Sequence, residues 1–253
     1  MIAERISEIT TALPQGVALV AVSKFHPVER LREAYAAGQR LFAESRPQEL
    51  AAKVPQLPDD ISWHFIGHLQ TNKLKLVLPY VSLVQSVDSV HLLEAIDRWG
   101  AQNGRVIDVL LEVHIASDAT KQGFSPEEIL PLLSLSDTTP SPTAATRPLP
   151  SPAMGPSLLC GRGWPQVGEG VVSEKHVRLR GLMGMATLTE DETVIERDFQ
   201  RIQDLFEAVT AAHPDWSWFD QLSIGMSGDW PIALRHGATM VRIGTDIFGP
   251  REY

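Results

Sequence analysis

The chain has 253 residues, of which 43% are hydrophobic and 21% charged, with a formal net charge of −9; this fits one large domain or two small ones with a well-buried core. The acidic balance argues against a nucleic-acid partner, which needs a basic face, and against docking on an anionic membrane. Cys160 is the single cysteine and excludes an internal disulfide, no apolar run reaches the roughly 20 residues of a membrane span, and MIAERISEITTALPQG has no apolar signal core, so a cytoplasmic location is expected.

Short β-branched runs alternate with helical patterns. A helix is expected over about 3–12. VALVAVSK (17–24) reads as the first strand and VERLREAYAAG (28–38) as a helix closed by glycine. RLFAES (40–45) is the second strand, before a helix at 47–54 with proline in its first turn. SWHFIG (62–67) and VSLVQSVDS (81–89) follow, with helices over roughly 70–78 and 91–104. VIDVLLEVHI (106–115) is the fifth strand and PEEILPLLSLS (126–136) the next helix. VRLRGLMGM (177–185), FDQLSIGM (219–226) and ATMVRIGT (238–245) complete eight strands, with a long helix at 190–212 and a short one near 229–236.

Strands that alternate with helices pair in parallel, because each return needs a crossover. Eight of them predict a closed (β/α)8 barrel of the TIM type in a single domain; an open doubly wound sheet is the alternative. No room remains for a full eighth helix after Thr245, and the N-terminal helix is expected to cover that gap. Residues 137–175 break the rhythm with Pro, Ser, Thr and Gly, and read as a mobile insertion between the 126–136 helix and the sixth strand. That connection lies on the side of a barrel opposite the active-site face.

Lys24 ends an apolar strand, where lysine is uncommon without a partner or a task. A nucleophilic amine there needs a lowered pKa, from desolvation or from a cationic neighbour such as Arg242. Ser223–Asp229 and Arg242–Thr245 close strands 7 and 8 with Gly, Ser and Thr. In many barrels these loops hold phosphate. His64 and His68 are spaced for a helical zinc site but lie on a strand and its exit, so no metal is expected; His64 reads as a core or site-lining residue and His68 as a loop donor. Glu44 and Arg46, after strand 2, read as solvated.

Ala21–Lys24, Trp63–Lys73, Gly181–Met183, Ser223–Ser227 and Val241–Gly249 together resemble the pyridoxal phosphate homeostasis protein family, also called YggS or PROSC. The resemblance covers nearly the whole chain outside 137–175. It implies a barrel like the alanine racemase N-terminal domain, with pyridoxal 5'-phosphate (PLP) as a Schiff base on Lys24. It implies that Ser227, Gly244 and Thr245 hold the phosphate, that Arg242 lies near the pyridine nitrogen, and that Met226 and Ser45 line the site. Family members carry or regulate vitamin B6 and amino/keto acid balance without an established catalytic turnover. PLP, and apo PLP-dependent enzymes as recipients, are the implied partners of a monomer. Three departures stand out. Ala43 and Ser45 replace the family's Gly and Asn, and Ala43 is expected to restrict a backbone angle. Phe25–His26–Pro27 follows the lysine where Thr–Lys–Pro is usual.

A PLP-dependent racemase or lyase is the alternative, and a cofactor-free barrel enzyme acting on sugar phosphates is a third. Arginine beside the ring nitrogen weakens the electron sink. A two-base racemase also needs a second base, and Tyr35, Tyr80 and Tyr253 lie in no strand-end motif.

Overall fold

The structure, a computed structural model, describes residues 1–116, 122–134 and 176–250. The insertion expected at 137–175, Cys160 and Tyr253 lie outside the described residues. Eight parallel strands close into a barrel in sequential order: β1 (Ala18–Val22), β2 (Leu41–Glu44), β3 (Ser62–Phe65), β4 (Leu83–Val87), β5 (Ile107–Val113), β6 (Val177–Gly184), β7 (Gln221–Ser223) and β8 (Met240–Ile243). Closure is made by β1 on β8, with Val20 opposite Arg242 and Ala21 opposite Ile243.

Helices α1 (Ile2–Ala12), α2 (Val28–Ala36), α3 (Pro47–Lys53), α4 (Leu74–Val77), α5 (Val90–Asn103), α6 (Pro126–Ser134), α7 (Glu192–Ala212), α8 (Trp230–Arg235) and α9 (Thr245–Phe248) surround it. The expected 70–78 helix divides into a 3-10 turn at Thr71–Lys73 and the short α4. Among the described residues the four-residue α9 is the helix that follows β8. α1 fills that place: it packs on α2 and α9, and Arg5 donates to the Ile247 carbonyl.

Covering on both faces explains why these strands are nearly all apolar. Phe42, Phe65, Val84, Val109, Leu111, Leu182 and Val241 pack outward under the helices. Val20, Val22, Ala43, Leu83, Leu110, Met183 and Met240 fill the bore. Successive strand residues alternate between these two sets, and that alternation decides which residues reach the barrel mouth. At the opposite end, Asp108 of β5 pairs with Arg178 and Arg180 of β6 at 2.7 and 3.0 Å, tying neighbouring strands together away from the mouth. Among the described residues no helix is long and apolar enough to cross a membrane.

Candidate functional site at the barrel mouth

Lys24 lies two residues beyond β1. It shares the parity of Ala18, Val20 and Val22, which puts it on the bore side as the chain leaves the barrel. Ser45 stands in the same relation to Leu41 and Ala43 on β2. On the closing strand, Arg242 follows Met240 into the bore and is 4% exposed. Gly244 and Thr245 then open α9 at the same end.

The two loops expected to cradle an anion meet. Ser227, after β7, accepts the Asp246 backbone N–H at 3.4 Å, linking the β7 exit to the first turn of α9. Asp229 shapes the first of these loops by accepting the Met226 N–H at 2.5 Å. Gly225 has φ +92, and a Cβ there would stand 2.7 Å from Ala233 Cβ and 3.0 Å from Trp230 Cα. Only glycine fits this close turn from strand into α8. A Cβ on Gly244 would come within 3.1 Å of the Val22 carbonyl oxygen, so the β8 exit lies directly against the strand end that carries Lys24. Lys24, Ser45, Met226, Ser227, Arg242, Gly244 and Thr245 therefore all stand at the C-terminal end of one barrel.

Arg242 anchors a polar network across the bore. It donates to the Ser223 carbonyl and hydroxyl at 2.7 and 2.6 Å and to the Gly184 carbonyl at 2.8 Å. These bonds use three of the five guanidinium N–H groups. Burial draws its pKa down to about 10, against the opposing charges of Asp229 and Glu112, and it stays cationic at neutral pH. Ser223 donates to Gln85 Oε1 at 2.7 Å, and Gln85 Nε2 reaches His64 Nδ1 at 2.8 Å. Burial lowers the His64 pKa to about 3, so the ring is neutral and accepts from the Gln85 amide. His64 is thus a bore residue. His68, half exposed in the exit loop, pairs with Asp88 at 2.8 Å. Among the described residues no group of three or more His, Cys, Asp and Glu side chains could hold a metal.

Glu112 belongs to this site, although its place inside an apolar strand does not mark it in the sequence. It has the bore parity of Leu110 on β5 and is 6% exposed. Burial, reinforced by Asp88 and opposed by Arg242 and His68, raises its pKa to about 7.

Glu44 corrects an expectation. It is wholly buried rather than solvated. It occupies the outward parity of β2, where α3 covers it, and Lys53 of α3 reaches its carboxylate at 2.7 Å. Arg46 is exposed as expected and lies over the Phe25 ring, 4.2 Å from its centroid. Ala43 has ordinary backbone geometry for a strand residue and fills the bore, with no positive φ that a glycine would be required to adopt. The unusual backbone lies instead at Phe25, with φ +67, the one non-glycine residue at positive φ among those described. Its neighbour His26 stacks on Phe248 at 4.9 Å, closing the lysine turn against α9.

A closed parallel barrel with a lysine at the end of β1 and glycine-rich exits from β7 and β8 defines a barrel of the alanine racemase N-terminal type. The family model described as alanine racemase, N-terminal domain, matches residues 1–142. The chain belongs to the pyridoxal phosphate homeostasis protein family: the protein of that name from Pasteurella multocida is 33% identical over 241 residues, 94% of this chain and 88% of its relative. PipY of Synechococcus elongatus, solved with PLP bound, superposes with a TM-score of 0.75 at 33% identity, covering 98% of this chain and 100% of that one. Alanine racemase from E. faecalis, at 17% identity and a TM-score of 0.64 over 98% of this chain and 57% of that one, shares the fold.

Proposed function

We propose that this chain binds PLP at the C-terminal mouth of its barrel, through a Schiff base on Lys24. In this reading it serves vitamin B6 and amino/keto acid homeostasis as a cytoplasmic, monomeric holder of the cofactor, which it hands to apo PLP-dependent enzymes. The observation that carries the reading is the convergence of a strand-end lysine, two linked glycine- and hydroxyl-bearing loops and a buried cationic arginine on one barrel end, in a chain similar along its length to a protein solved with PLP.

The residues divide the work by chemistry. Lys24 supplies the amine. Ser227, Gly244 and Thr245 offer a hydroxyl and backbone N–H groups to the phosphate, the glycine allowing close backbone approach. Met226 and Ser45 line the ring. Arg242, held by Ser223 and Gly184, keeps N–H groups to donate and no proton to give up, which leaves a pyridine nitrogen beside it unprotonated. When bound, the cofactor supplies an aldehyde that exchanges between amines. A weak electron sink suits holding that aldehyde better than driving carbanion chemistry on it.

The test is the absorption spectrum of the protein as purified or after incubation with PLP. A visible band that bleaches with borohydride, and that Lys24→Ala removes from a still folded protein, is expected. A colourless protein that takes up no PLP, or a Lys24→Ala variant that keeps the band, contradicts the reading.

A further inference from the structure

Behind the turn that carries Lys24 lies a second lysine. Lys53, at the end of α3, is 7% exposed. Its ammonium donates to the Ser23 carbonyl at 2.9 Å, to Glu44 Oε1 at 2.7 Å and to Glu49 Oε2 at 3.1 Å. Each acceptor leads back to the lysine turn. Ser23 precedes Lys24, and its hydroxyl donates to the same Glu44 oxygen at 2.7 Å. Phe25 follows Lys24 and donates its backbone N–H to Glu49 Oε2 at 3.0 Å. The bonds that converge on Lys53 therefore bracket Lys24 on both sides.

Two observations separate this cluster from ordinary packing. Phe25 is held at φ +67, a conformation that strains a bulky side chain and persists only where surrounding contacts impose it. Glu44 Oε2 is buried without a hydrogen-bond partner. Apolar residues of similar volume often stabilise a fold as well as a buried charge cluster does, so stability alone does not account for one with an orphaned oxygen. We propose that Lys53 is a positioning residue for Lys24: its ammonium ties β1, β2 and α3 together so that the Ser23–Phe25 turn presents the Lys24 amine on the bore side. The part of this inference that concerns PLP rests on the function proposed above. The part that concerns the Lys24 amine does not.

The experiment compares wild type with Lys53→Met and with Glu49→Ala. Glu49 is partly exposed, so its loss severs the link to Phe25 without emptying the core. Circular dichroism first establishes which variants are folded. The rate at which trinitrobenzenesulfonate modifies Lys24 is then followed by peptide mapping as a function of pH, without cofactor, with Lys73 and Lys75 as internal standards. PLP affinity is measured separately by spectroscopic titration. In both variants the pH profile of Lys24 shifts and its rate changes by about threefold or more, while Lys73 and Lys75 keep theirs. PLP affinity falls about tenfold, equivalent to about 1.4 kcal/mol. A folded variant with the wild-type Lys24 profile overturns the proposal, and Glu49→Ala alone decides it if Lys53→Met does not fold. If wild type takes up no PLP, the function proposed above fails while the Lys24 profile still decides the role of Lys53.

Discussion

Glu112 makes the stability of the cofactor-free protein depend on pH in a direction opposite to the usual carboxylate. Burial raises its pKa in the folded protein from the ordinary 4.5 to about 7. Between these values the folded state holds a proton that the unfolded chain releases. The stabilisation is therefore fully present below about pH 4.5 and is lost as pH rises through 7. At about 1.4 kcal/mol per pH unit, the interval amounts to about 3 kcal/mol. Glu112→Gln keeps the shape and removes the titration. Urea unfolding of both proteins at a series of pH values from 4 to about 8.5 isolates this group together with its coupling to Asp88, Arg242 and His68, because titrating groups remote from it cancel in the difference. Wild type loses about 3 kcal/mol relative to the variant across that series, most of it between pH 5 and about 7. A difference that stays flat with pH, or that moves in wild type's favour as pH rises, refutes the assignment of a buried, largely protonated carboxyl at this position.

Three further outcomes follow from the same geometry. The His64 ring resonances in NMR spectra do not titrate between pH 8 and about 5, because burial holds its pKa at about 3; an inflection near the ordinary histidine value of 6.5 contradicts the bore network. Gly225→Ala forces a side chain into φ +92 and against Ala233 and Trp230, and lowers unfolding free energy by about 2–4 kcal/mol in urea denaturation. A loss below about 0.5 kcal/mol shows that the β7 exit does not need the close turn. Lys24→Ala changes unfolding free energy by less than about 1 kcal/mol, since the side chain lies at the mouth rather than in the core; a larger loss places it elsewhere.

The barrel was legible because its strands are β-branched runs at regular spacing, bounded by glycine-closed helices. Their ends were less so. The structure trims VALVAVSK to Ala18–Val22 and FDQLSIGM to Gln221–Ser223, because parallel pairing stops where neighbouring strands stop, and no local pattern records that. Lys24, Arg242 and the two terminal loops stood out because they are polar interruptions at the ends of apolar strands. Glu112 did not. In VIDVLLEVHI both faces are apolar, so alternation does not tell whether the carboxylate enters the bore or lies under a helix, and the register of the closed barrel settles it. Glu44 has the same ambiguity and the opposite outcome. Lys53 looks like any lysine in the last turn of a helix. It becomes buried because α3 lays its end across β1 and β2, and that placement exists only in three dimensions.

The proposed function requires that one particular amine, that of Lys24, holds the cofactor. Borohydride reduction of the PLP-treated protein, followed by proteolysis and mass spectrometry, reads it out residue by residue. A single stoichiometric phosphopyridoxyl label on the peptide containing Lys24 is the predicted result. Label on Lys53, Lys73 or Lys75 in its place, or label spread over many lysines, contradicts the account.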